Sequence, residues 1–185
     1  MDGGTSMALR EIRTIGDPIL TKAAKPVREM TPRVKELISD MFDTLHEASG
    51  VGLAGPQVGV LKQIVVIEVE EEHPYVLINP KITKEEGEQT GYEGCLSVPG
   101  KSGVVKRPEH VIAEALDENM KPYTIDAEGL LARCICHELD HLKGELYVDL
   151  VEGELIDNSE LEKEEQKTEE EPETEEEPET EDRKS

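Results

Sequence analysis

Val34, Leu37, Ile38, Met41 and Leu45 fall on one face of a 3.6-residue repeat, and Lys35, Glu36, Asp40 and Asp43 take the others. That spacing predicts an amphipathic helix. Thr31-Pro32 marks its start, a capping side chain followed by a proline at the first helical position, and Gly50 closes it. Asp17-Pro18 repeats the start signal for a short helix that Pro26 stops. The pattern then changes. Runs rich in β-branched residues over 64–69 and 75–78, the second ended by Asn79-Pro80, predict strands, as do shorter runs over 104–105, 111–116 and 123–125. A polar turn is expected over 85–90. A last core helix is expected from about Glu128 to Leu142, ending at Gly144, with Leu130, Cys134, His137 and His141 on one stripe. The predicted class is α+β, with small, largely antiparallel sheets surrounding that last helix.

Residues 50–59, with five small residues and a proline, suit neither helix nor strand. Their glycines let the backbone pass close to another part of the molecule. A phosphate loop is poorly supported, because no Gly-Lys-Ser/Thr ending and no preceding strand accompany them. Two readings stay open: a tight loop with a buried glutamine, or a substrate-facing wall whose Gln57 amide donates hydrogen bonds.

The chain has 185 residues, enough for one domain with a real core. Its 43 acidic and 20 basic side chains give a net charge of −23. Residues 152–185 hold 17 acidic and 4 basic side chains, a balance of −13, so the acidity is concentrated at the end. A direct nucleic-acid partner, DNA included, is not expected, since phosphates need basic patches. Cys95, Cys134 and Cys136 do not form a secreted disulfide framework, and no apolar run spans a membrane. A cytoplasmic location is the expectation. The expected organisation is a leader over 1–7, with Met7 as a candidate natural start, then a globular domain over 8–151. A charged helix over 152–167 and a disordered acidic tail over 168–185 follow. In that tail Thr-Glu-Glu-Glu-Pro-Glu occurs twice.

His137-Glu138-Leu139-Asp140-His141 carries the chemistry. Two histidines four apart on a helix stand one turn apart on one face, so both can reach a single metal ion. Glu138 points to a neighbouring face and can act as general base or acid in a hydrolysis. The plainer alternative is a solvated helix face that carries two histidines. A catalytic site of this kind needs a third ligand. Cys134 lies seven residues before His141, about 10 Å along a helix, which bonds of about 2.0–2.3 Å do not span. Cys136 points elsewhere. The metzincin continuation fails, because Tyr147 stands where its last histidine belongs. Glu162 or Glu164 would be the downstream ligand of another endopeptidase type, but both lie in the acidic segment. Cys95, in Glu93-Gly94-Cys95-Leu96-Ser97, remains. One thiolate and two neutral imidazoles leave the site near +1, which suits acidifying a water. Ligand chemistry alone would suggest zinc.

Taken in order, residues 50–57, Glu93 to Ser97 and His137 to His141 resemble the three motifs of the peptide deformylase family, and the similarity runs over about 8–151. The resemblance implies a metal-dependent hydrolase that takes the formyl group from the N-terminal formyl-methionine of new polypeptides and releases formate. It implies Cys95, His137 and His141 as ligands of one divalent metal. That metal is ferrous iron by the resemblance, with nickel or cobalt as working substitutes and zinc less active. Glu138 would take the attacking water's proton and pass it to the leaving amine. Gln57 and the Leu96 N–H would hold the oxyanion. Gly52 would bond the peptide backbone as an added strand. Val51, Leu130 and Cys134 would form the methionine pocket, Arg107 would orient Glu93, and Asp140 would anchor the helix.

Two departures from the family pattern stand out. Gly55 replaces a usual alanine, which implies a slightly looser loop. The C-terminal region is acidic where bacterial members dock on the ribosome through basic residues, which implies weak docking. Two other readings remain beside the deformylase one: an endopeptidase with a downstream ligand, and a non-catalytic metal-binding or interaction protein whose functional part is the tail.

Overall fold

The Thr31 side chain accepts a hydrogen bond from the Val34 N–H and opens helix α1 (Pro32–Glu47), with Pro32 in its first turn. Val34, Leu37, Ile38, Met41 and Leu45 are buried along its inner face. This computed structural model describes residues 8–170. The expected leader and most of the expected tail lie outside the described residues.

Among the described residues, eight strands form two antiparallel sheets. Five of them, β1 (Gly52–Ala54), β2 (Ile64–Ile67), β3 (Tyr75–Glu86), β6 (His110–Leu116) and β7 (Pro122–Glu128), lie side by side in the order β1-β2-β3-β6-β7. The remaining three, β4 (Gln89–Cys95), β5 (Val98–Arg107) and β8 (Glu152–Asp157), form the order β4-β5-β8. The five-stranded sheet is covered on both faces. Ile64 and Val66 of β2 pack with α1, whereas Val65 and Ile67 pack with Ala132, Ile135 and Leu139 of helix α2 (Gly129–Leu142). This two-sided burial explains why β2 reads as an unbroken apolar run. Helix α2 also reaches β5, where Arg133 Nη1 donates to the Val105 carbonyl at 3.1 Å. The metal-motif helix is therefore the central element between the two sheets, in the α+β class expected.

Three local expectations are corrected. The strand expected to end at Asn79-Pro80 continues to Glu86. Asn79 takes φ 50°, and a register slip between Ile78 and Lys81 absorbs the proline. Residues expected as irregular loop contain strand β1 and a 3-10 turn, Gly55–Val58. The segment expected as one charged helix over 152–167 is strand β8 followed by helix α3 (Asn158–Glu170). Gly153, with φ 83°, is outside the helical region, and the open edge of β5 supplies the main-chain partners that a helix would have made internally.

Candidate metal centre

Cys95 ends β4, at a slip in its pairing with β5 between Gly94 and Cys95. His137 and His141 stand one turn apart on α2. Their donor atoms converge: Cys95 Sγ lies 3.3 Å from His141 Nε2, and the two Nε2 atoms are 3.2 Å apart. All three donor atoms lie within 4.8 Å of one another. Ligands bound at about 2.0–2.3 Å around a tetrahedral ion stand roughly 3.5 Å apart, so the donors fit a single cation with little movement. Glu162 and Glu164, the alternative downstream ligands, are exposed on α3 and outside this donor group.

The residues behind the donors are tied together. His137 Nδ1 donates to Glu93, which turns its Nε2 toward Cys95 and His141. Arg107 forks Glu93 with bonds of 3.1 and 2.7 Å and bonds Asp140 at 2.6 Å. Arg133 Nη1 adds a bond to Glu93 at 2.9 Å. Burial would push the Glu93 carboxyl up, but the bonds from His137 and Arg107 outweigh it and hold it at about 2. Burial would lower His137, but hydrogen bonds to Cys95 and Glu93 raise it to about 10. Burial, and then the charge of His137, lowers His141 to about 3.

Glu138 is 3% exposed, and burial, partly offset by the charge of His137, raises its carboxyl to about 7. Its Oε2 has no hydrogen-bond partner among the described residues. An ionisable group titrating near neutrality, with a vacant acceptor beside the donors, is suited to moving a proton. Gln57 is 1% exposed. Its Oε1 accepts from the Ala54 N–H at 2.9 Å, which turns Nε2 toward Cys95 Sγ at 3.5 Å and Ser97 Oγ at 3.1 Å. Both open readings of 50–59 therefore describe the same residue, a buried glutamine whose amide borders the site.

A cleft of about 470 Å³ opens over these groups. Val51, Gly52, Leu96, Leu130 and Cys134 line it, with Gln57, Glu93, Cys95, His137 and Glu138. Gly52 is required at its position, because a Cβ there would lie 2.8 Å from Cys134 Sγ and 2.9 Å from Glu138 Oε1. Gly55 corrects the expectation of a looser loop. A Cβ there would lie 2.7 Å from the Lys62 carbonyl oxygen and 2.8 Å from that of Val60, so the space is already closed by backbone. His141, Asp140 and Arg107 stand behind the cleft rather than on its wall.

The sequence reading missed several participants. Arg133, a charged residue four before His137 on an apolar helix face, was the visible signal for a buried partner of Glu93. Tyr147 packs against His137 with ring centroids 5.8 Å apart. Ser97 holds the Gln57 amide, and Tyr92 sits exposed on the cleft wall.

Three convergent soft and nitrogen donors, a buried carboxylate with one oxygen unpartnered among the described residues and an open cleft define a metal-dependent hydrolase. The chain belongs to the polypeptide deformylase family, whose sequence model matches residues 9–155. Members are metal-dependent enzymes that remove the N-formyl group from nascent polypeptides. A peptide deformylase of Agathobacter rectalis is 61% identical over 151 residues, 82% of this chain and 95% of that protein. One of Lachnoclostridium phytofermentans is 54% identical over 163 residues, 87% of this chain and 100% of that protein. Among solved structures, the Synechococcus elongatus peptide deformylase in complex with actinonin is similar with a TM-score of 0.76 and 43% identity, covering 85% of each chain. Among the described residues no helix is long and apolar enough to cross a membrane.

Proposed function

We propose that this cleft hydrolyses the formyl amide of formyl-methionyl peptides with Cys95, His137 and His141 as ligands of one ferrous ion. The observation that carries the reading is the convergence of the Cys95, His137 and His141 donor atoms beside the buried Glu138 carboxylate, whose Oε2 has no hydrogen-bond partner among the described residues. Held by Cys95, His137 and His141, such an ion would supply the Lewis acidity that the hydrolysis needs. Glu138 takes the water's proton and hands it to the leaving amine. Gln57 Nε2 and the Leu96 N–H donate to the oxygen as it gains negative charge. Glu93, held by Arg107, keeps His137 in the tautomer that presents Nε2, and Asp140 holds Arg107 from the other side.

The peptide lies along β1. This strand is at the edge of its sheet and is paired on one side by β2, which leaves Gly52 able to bond an added strand. Val51, Leu130 and Cys134 receive the methionine side chain. Glu138, Gln57 and the donor cluster thus face the formyl end, and the open cleft faces the rest of the peptide. The enzyme works in the cytoplasm on nascent chains and docks weakly on the ribosome, because its C-terminal region carries like charge to ribosomal RNA. We assign 8–151 as the catalytic unit, with strand β8 and Asn158 packed onto it and the acidic region beyond as an appendage.

The test is formate release from a formyl-methionyl peptide by protein purified without oxygen, with metal analysis of the same sample. One bound iron per chain with turnover is expected. Iron bound without formate release would favour the non-catalytic reading.

A further inference from the structure

The family match ends at residue 155, yet the cleft does not. Asn158, the first residue of α3, lines it together with Gly100 and Lys101. Strand β8 brings Asn158 there by pairing antiparallel to β5, with Lys101 opposite Asp157 and Ser102 opposite Ile156. The placement is held by side chains as well. Lys101 Nζ meets Asp157 Oδ1 at 2.5 Å, and Ser102 Oγ donates to Asn158 Oδ1 at 2.5 Å. Gly103 makes room for the strand, since a Cβ there would lie 2.6 Å from the Val151 methyl groups and 3.1 Å from Leu155. With its carbonyl oxygen engaged by Ser102, Asn158 has its two N–H donors turned away from that hydroxyl.

We propose that Asn158 is a substrate-binding residue, whose side-chain amide donates a hydrogen bond to a main-chain carbonyl of the peptide downstream of the formyl-methionine. This rests on the deformylase reading of the same cleft. Nascent chains share their formyl-methionine and their backbone but not their later side chains. A contact beyond the methionine that serves all of them must therefore fall on main-chain atoms. A neutral amide suits that task, because it makes no demand on the charge of the substrate's side chains. Strand β8 is in this account the element that holds Asn158 at the rim of the cleft.

The test compares two amidated substrates, formyl-methionyl amide and formyl-Met-Ala-Ala-Ser amide, on the full-length, metal-loaded chain. Asn158→Asp keeps the acceptor for Ser102 and removes the donor; Asn158→Ala removes both. Each is expected to raise KM for the longer peptide about three- to tenfold, the worth of one hydrogen bond, with kcat and the KM of the short substrate unchanged. In the wild-type protein the Asn158 side-chain amide resonances are expected to shift on addition of the deformylated tetrapeptide. An unchanged KM for the longer peptide, or an equal rise for both substrates, overturns the inference and leaves the deformylase reading standing. A wild-type chain that releases formate from neither substrate overturns both.

Discussion

Arg107 forks the carboxylate of Glu93 through Nη2 at 2.7 Å and Nε at 3.1 Å, with both side chains almost fully buried. The pair connects sequence to chemistry in one step. The fork fixes the carboxylate, the carboxylate fixes the His137 ring, and the ring aims Nε2 at the donor cluster.

Replacing Arg107 with methionine takes the forked guanidinium from the buried Glu93 carboxylate, which keeps only Arg133 and His137, and removes the cation that the half-buried Asp140 meets. Removing one partner of a buried ion pair costs about 3–5 kcal/mol of folding stability. Loss of a group that orients a metal-bound histidine weakens metal binding roughly 10- to 100-fold. Denaturant unfolding and competition with a chelator measure the two effects separately. A variant of unchanged metal affinity would show that Glu93 orients His137 without help.

Glu93 also sets a pH dependence. Its carboxyl titrates at about 2 in the folded chain, against an ordinary 4.5. The folded state therefore binds this proton less readily than the unfolded state does. The resulting stabilisation, on the order of 3 kcal/mol, is present above pH ~5 and lost as the pH falls from about 4.5 toward 2. Unfolding of metal-free protein at pH 6 and pH 3 should show this slope in the wild type and a flatter one in Glu93→Gln. Equal slopes would remove Glu93 as the cause.

The helices were the most legible part of the sequence, because α1 and α2 carry their own start signals or apolar stripes. That Cys95, His137 and His141 come together was legible as well. His137 and His141 follow from helical spacing, and Cys95 was left standing after the other thiols were excluded. What stayed hidden depends on contacts between segments distant in the chain. Strand β3 runs through Asn79-Pro80 because the Asn79 side chain bonds both backbone groups of Val27, 52 positions away. Strand β8 looks like part of a charged helix until the open edge of β5 is known. Arg133 stands out as a charge among apolar helix neighbours, but its partner is hidden until Glu93 is placed opposite it.

Glu138 and Cys95 are expected to fail in different ways. Glu138→Gln keeps the volume and removes the proton acceptor, so turnover should fall about 10²–10⁴-fold with metal content intact. Cys95→Ala removes the single thiolate of the donor group and should abolish tight metal binding along with formate release. Metal analysis beside the formate assay separates the two. An endopeptidase with a downstream ligand would instead keep its metal when Cys95 is replaced.

The acidic C-terminal region predicts a charge effect on ribosome docking. Binding by the intact chain should be weak, because its C-terminal region repels RNA and offers few cations to displace counterions. Deleting residues 159–185 removes most of the local negative charge, and affinity in a sedimentation assay should rise. If the truncated and intact chains bind alike, repulsion by the tail is not what limits docking.

Gly52 offers the sharpest separation of activity from stability. Its α-carbon faces Cys134 Sγ and the Glu138 carboxylate, at 2.8 and 2.9 Å from where a methyl would sit. In Gly52→Ala, either β1 retreats from α2 or Glu138 rotates away. Overpacking of this kind costs about 1–3 kcal/mol of stability. Displacing a catalytic group by about 1 Å can cost roughly 10²-fold in rate. The variant should therefore stay folded and bind metal at 25 °C while kcat/KM falls about a hundredfold. Unfolding curves, metal content and formate release on one preparation make the comparison. A Gly52→Ala chain with wild-type turnover would mean that the peptide edge of β1 and the Glu138 carboxylate have more room between them than their contact distances allow.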